Sequence, residues 1–74
     1  MKVLSDDLLA SKVIANRKEK KISQTKLSQA TGINRALISQ LENKKFTPSA
    51  NQLMALAITL DFNIYDVFVD SETL

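Results

Sequence analysis

Residues 26–45, KLSQATGINRALISQLENKK, hold the only glycine of the chain, Gly32, between two short runs with helical spacing. Before it, Ser23 precedes Gln24 to Thr31, where Leu27 and Ala30 are the positions expected to be buried. After it, Asn34 precedes a run from Arg35 to about Asn43 with apolar residues at Leu37, Ile38 and Leu41. Serine and asparagine suit helix starts because their side-chain oxygens accept the otherwise unpaired first N–H groups. Gly32 stops the first run because glycine takes a left-handed backbone without steric cost. Helices of about eight residues are too short to stand alone in water. They need each other and a scaffold.

Two short helices joined by a glycine turn form a helix-turn-helix. The second helix must cross the first closely, so a small residue is required at the crossing, and Ser28 is well placed. Leu27, Ile33, Ile38 and Leu41 supply the inward face and thereby fix which residues face solvent. Agreement at several positions is far more specific than a lone glycine between helices.

Working outward, Ser5 caps a first helix that opens with Asp6 and Asp7, acids suited to a positive helix end. Leu9 and Val13 share one face, and the basic run RKEKK (17–21) sits at the negative end near Lys20 or Lys21. The stretch NKKFTPS (43–49) reads as a loop. Ser49 then caps a fourth helix with Leu53, Leu56, Ala57 and Leu60 inward, ending at Asp61. Asn63 caps a last turn or two from Ile64 to Val69. The expectation is an all-α fold of five compact helices in one domain. Residues 1–8 form an extension and the start of helix one, 9–69 the helix-turn-helix domain, and 70–74 a frayed tail. The expected core is Leu9, Val13, Leu27, Ile33, Ile38, Leu41, Leu53, Leu56, Leu60, Ile64 and Phe68. Both MKVL (1–4) and VFVD (67–70) are β-permissive and could pair as a terminal ribbon, which the sequence leaves open.

Composition removes several functions. The chain of 74 residues has no cysteine and no histidine, so thiolate chemistry, the usual general base and the commonest metal ligand are all absent. Each serine has a capping or packing role, and the carboxylates are scattered, so neither enzyme, metal site nor cofactor is expected. Aspartates stand where a secretory leader needs its apolar run, and no stretch approaches the roughly 18 apolar residues of a membrane span. A cytoplasmic protein with no membrane partner is expected. The net charge of +2 hides a partition. Nine of the ten basic groups fall between residues 12 and 45, against Glu19 and Glu42, whereas Asp61, Asp66, Asp70 and Glu72 follow with no lysine or arginine. Such concentration suits a polyanion-binding face.

The segments ISQTKLSQATGINRALISQLENKKFTPS (22–49) and LMALAITLDFNIYDVF (53–68) together resemble the Cro/C1-type, or XRE family, DNA-binding domain of the phage-repressor class. The resemblance covers roughly residues 9 to 68. It implies a five-helix, lambda-repressor-like fold and a double-stranded operator, usually palindromic and bound by a homodimer. Under it, the third helix reads base edges in the major groove with Asn34, Arg35, Ala36, Ser39 and Gln40. Arginine can bond bidentately to guanine, glutamine to adenine, and alanine can meet a thymine methyl. Similar domains grip phosphate with a glutamine at the position of Gln24, and touch the backbone where Lys44 and Lys45 stand. Lys26 belongs to the phosphate side, adding with Lys18, Lys20 and Lys21 mainly a long-range field. Many relatives carry glycine at position 44. The resemblance also makes Arg17 and Glu42 a structural ion pair joining the first and third helices, and it leaves Asn16 where relatives often place an apolar residue. Met54, Ile58, Tyr65 and Val69 exceed what the core needs and lie where similar repressors dimerise; Leu4 and Leu8 could join them.

The function expected is sequence-specific DNA binding by a small transcriptional regulator, a repressor acting as a homodimer and associated with the nucleoid. The alternative is an antitoxin-type protein that binds its own promoter and sequesters a partner toxin or enzyme. A third role, general nucleoid binding, would show weak sequence discrimination.

Overall fold

Capping chemistry sets nearly every boundary in the computed structural model, which describes residues 1–71. Strand β1 (Lys2–Leu4) leads into helix α1 (Asp6–Glu19), followed by α2 (Gln24–Thr31), α3 (Arg35–Glu42) and α4 (Ala50–Leu60). A four-residue 3-10 helix, Ile64–Val67, and strand β2 (Phe68–Asp70) complete the order. The side chains of Ser5, Ser23, Asn34 and Ser49 each accept a backbone N–H from the first turn of their helix. At α4 the Gln52 side chain reaches back to the Ser49 N–H at 2.8 Å, a reciprocal capping box.

Left-handed residues close the helices. Gly32 has φ 75 and returns its N–H to the Ser28 carbonyl. Lys21, Lys44 and Asp61 take the same conformation with φ between 58 and 64, without being glycine. After them, Ile22, Lys45 and Phe62 donate their N–H groups back to Arg17, Gln40 and Ala57. These bonds pair helix-end carbonyls that would otherwise lack partners. Lys44 thus holds a positive φ, the conformation a glycine takes without steric cost.

The four helices enclose one core. Leu9, Val13, Leu27, Ile38, Leu41, Leu56 and Leu60 are almost fully buried, and Ile33 and Leu53 nearly so. Three expectations about burial need correction. Ala30 is exposed, because Thr31, four residues after Leu27, turns inward instead and its hydroxyl donates to the Leu27 carbonyl at 2.8 Å. Ile64 and Phe68 are only half-buried, and Val67 fills the core between them. The 3-10 segment has about 3.0 residues per turn rather than about 3.6, so position i+3 replaces i+4 on its inward face. Asn16 is half-buried, and its Nδ2 donates to the Leu60 carbonyl at 3.0 Å, capping α4 from α1.

The expected fifth α-helix is a single 3-10 turn, and the chain then extends. Phe68 and Val69, aromatic and β-branched, favour an extended backbone. The ribbon left open by the sequence is formed, with β1 antiparallel to β2 and Lys2, Val3 and Leu4 opposite Asp70, Val69 and Phe68. Its ladder extends at both ends, with Ser5 N–H donating to Val67 and Ser71 N–H donating to Met1, each at 2.8 Å. Asp70 and Ser71, the start of the stretch expected to fray, are thus paired, whereas residues 72–74 lie outside those described.

Candidate nucleic-acid interface

The turn between α2 and α3 is held by side chains as well as by its glycine. The Ser28 hydroxyl donates to the Ile33 carbonyl, and Ile33 N–H donates to the Thr31 hydroxyl at 3.2 Å. Ile33 is buried, which fixes where α3 begins. Ile38 and Leu41 then anchor one side of α3, so its other side must face outward.

That outward side presents Asn34, Arg35, Ala36 and Gln40, all exposed, with Ser39 half-buried beside them. The Asn34 side-chain oxygen accepts from Ala36 N–H at 2.7 Å, leaving its amide nitrogen free of internal bonds. The side chains of Arg35 and Gln40 have no hydrogen-bond or ion-pair partner among the described residues. Their donors, five N–H on the guanidinium and two on the amide, face solvent and are open to an external partner.

Beneath α3 lies a polar anchor. Arg17 Nε donates to Glu42 Oε2 at 2.8 Å and Nη2 to Oε1 at 3.1 Å, a two-bond pairing of fork and carboxylate. The Arg17 side chain is 16% exposed and that of Glu42 8%. Two further bonds complete the network: Arg17 Nη1 donates to the Ile22 carbonyl, and Gln24 Nε2 donates to Glu42 Oε1 at 3.0 Å. One carboxylate at the end of α3 therefore ties α1 to the first residue of α2, and Arg17 extends the network to the loop between them. Gln24, expected to serve a phosphate, has a structural partner as well, and one amide N–H remains for another contact. The sequence did not signal this link, since eighteen residues separate its ends and Gln24 reads only as a helix opener.

Around these elements sit the cations. Lys26 on α2 and Lys45 after α3 are exposed and without ion pairs among the described residues. Lys44 is also exposed, and its Nζ lies 3.4 Å from Asp7 on α1. Beside it, the Thr47 hydroxyl donates to the Asp6 carboxylate. Neither contact could be read from the sequence, because nothing local brings residues 6 and 7 to residues 44 and 47.

The apolar surplus lies on α4 and the 3-10 turn. Ile58 is 76% exposed and Tyr65 77%, with Met54 also exposed. Met54 and Ile58 line an open groove completed by Phe62 and Ile64. Val69 is half-buried in the ribbon, opposite Val3. Leu4 packs on the core, whereas Leu8, in the first turn of α1, is exposed. Among the described residues no group of acidic, cysteine or histidine side chains is placed to hold a metal, and no helix is long and apolar enough to cross a membrane.

A family model described as the Cro/C1-type helix-turn-helix DNA-binding domain matches residues 16–72. The sequence is similar to the ImmF control region 10 kDa protein of Bacillus phage phi105. The two are 34% identical over 64 residues, which span 84% of this chain and 71% of the relative. The fold is similar to the crystal structure of the restriction-modification controller protein C.AhdI from Aeromonas hydrophila, at a TM-score of 0.73 and 25% identity. That match covers 84% of this chain and 97% of the other. The hypothetical transcription factor NHTF from Neisseria matches with a TM-score of 0.76 over 92% of this chain and 78% of its own; at 22% identity it speaks for the fold alone.

Proposed function

This chain belongs to the family of Cro/C1-type helix-turn-helix DNA-binding domains, and from that we propose that it is a sequence-specific transcriptional regulator, a repressor acting as a homodimer with α3 in the major groove. Residues 9–69 are the DNA-binding unit. The observation that carries the proposal is the outward face of α3, where Arg35 and Gln40 hold unspent donors on a helix whose other side is locked by Ile38 and Leu41.

Asn34, Arg35, Ala36, Ser39 and Gln40 contact base edges, with Arg35 suited to guanine and Gln40 to adenine. Gln24, Lys26, Lys44 and Lys45 contact phosphates, which fix register without reading sequence. The Gln24 backbone N–H lies at the positive end of α2, so helix end and side chain favour the same anion. Met54, Ile58, Tyr65 and Val69 form the dimer face. Support for a control function comes from two similar proteins, one named for a phage control region and one a restriction-modification controller.

Selection of binding sites from a random duplex library tests this directly. Enrichment of two inverted half-sites about one helical turn apart, roughly 10 bp centre to centre, is the expected result. A single half-site would remove the homodimer and keep the helix. No consensus, with binding that vanishes as salt rises, would reduce the activity to charge alone.

A further inference from the structure

Building on the DNA-binding reading above, we propose that Asp7 competes with DNA phosphates for Lys44 and so sets the strength of one backbone contact. The loop after α3 is held by the first turn of α1 at two points, Lys44 on Asp7 and Thr47 on Asp6. Asp7 is exposed, as is Lys44.

The geometry at Lys44 makes the competition specific. Its backbone is left-handed, with φ 64, and its N–H donates to the Leu41 carbonyl while Lys45 N–H donates to Gln40. The stem therefore leaves the chain from a fixed point, and only the long side chain can reorient. Asp7 offers the ammonium an anionic oxygen, the same chemistry a DNA phosphate offers. A phosphate approaching Lys44 meets a carboxylate 3.4 Å from that nitrogen, so it must displace a like charge or share the cation with it. Lys45 and Lys26 have no such internal anion among the described residues. Of the cations assigned to phosphate, Lys44 alone arrives already partnered. Its contribution to affinity is smaller than that of Lys45, and Asp7 is the cause. Because phosphate contacts carry no base information, the effect is the same on every duplex.

The test measures binding of the full chain and its Asp7→Asn, Lys44→Gln and doubly substituted forms to the selected duplex and a scrambled one. A salt series is run on each, and circular dichroism checks that the helices persist. Asp7→Asn is expected to tighten both duplexes by about twofold to fivefold, the range an exposed ion pair supports. It should also steepen the salt dependence, and the gain should disappear in the Lys44→Gln background. An equal gain with and without Lys44 would assign Asp7 to the general field of the protein and overturn the competition, as would no gain. If the unsubstituted chain binds neither duplex, the DNA-binding reading fails and this proposal falls with it. If it binds both and Asp7→Asn changes nothing, only the proposal about Asp7 falls.

Discussion

Glu42 and Arg35 divide the labour of α3 at the scale of single residues. Glu42 faces inward and satisfies three donors, two from Arg17 and one from Gln24. Removing it leaves a largely buried guanidinium with the Ile22 carbonyl as its remaining partner. Breaking such a pair on one side costs about 3–5 kcal/mol, because an uncompensated charge stays out of water. Small domains hold only about 5–15 kcal/mol in total. We therefore expect Glu42→Ala to lower the urea midpoint drastically, and Glu42→Gln, which keeps a neutral acceptor, to lower it less. Equal midpoints for Glu42→Ala and the parent would show the network to be dispensable. Arg35 faces the other way and has no internal partner, so its removal should leave that midpoint alone. Arg35→Ala should instead erase the preference for the selected duplex over a scrambled one, a difference of about 1–3 kcal/mol for a bidentate base contact. Equal weakening on both duplexes would make Arg35 a phosphate contact only.

At the scale of elements, the ribbon is the part of the fold least tied to the helix-turn-helix. It joins β1 to β2 across almost the full length of the chain, and Leu4 beneath it packs on the core. Deleting residues 2–4 removes the ladder and the Leu4 contact but keeps the Ser5 cap. The expected loss is about 1–2 kcal/mol, since partial leucine burial and strand bonds are offset by the entropy of freeing three residues. The helical signal should remain, and its collapse would show that the ribbon is part of the cooperative core. This contrast also explains what the sequence made legible. Helices α1 to α4 are each marked by a capping side chain, three of them also by an apolar repeat, and Gly32 marks the end of α2, whose one buried residue is Leu27. All of that is local information. The ribbon depends on MKVL meeting VFVD across the chain, and the 3-10 turn depends on which spacing lets Val67 reach the core. Both are settled by tertiary packing rather than by any short window. The same limit separates the exposed side of α3, which its periodicity reveals, from the Gln24–Glu42 and Asp7–Lys44 contacts, which it cannot.

Over the whole molecule, charge and apolar surface are sorted along the chain. The basic groups of residues 12–45 ride on α1 to α3 and the loop that follows, whereas later residues bring only acids together with exposed Ile58, Tyr65 and Met54. A monomer tolerates scattered apolar groups, but here three fall on α4 and the 3-10 turn, and Met54 and Ile58 flank one groove. In the proposed homodimer this face is shared between the two copies. Ile58 provides the sharpest test, because at 76% exposure it contributes little to the folded monomer. Ile58→Glu should therefore leave the unfolding midpoint at high dilution unchanged. In sedimentation it should shift the chain toward monomer, since like charges would meet across a two-fold axis. Binding to a single half-site should persist at its original strength, and the extra affinity for paired half-sites should be lost. If Ile58→Glu still sediments as a dimer and binds paired sites as tightly as before, the shared face lies elsewhere on the molecule.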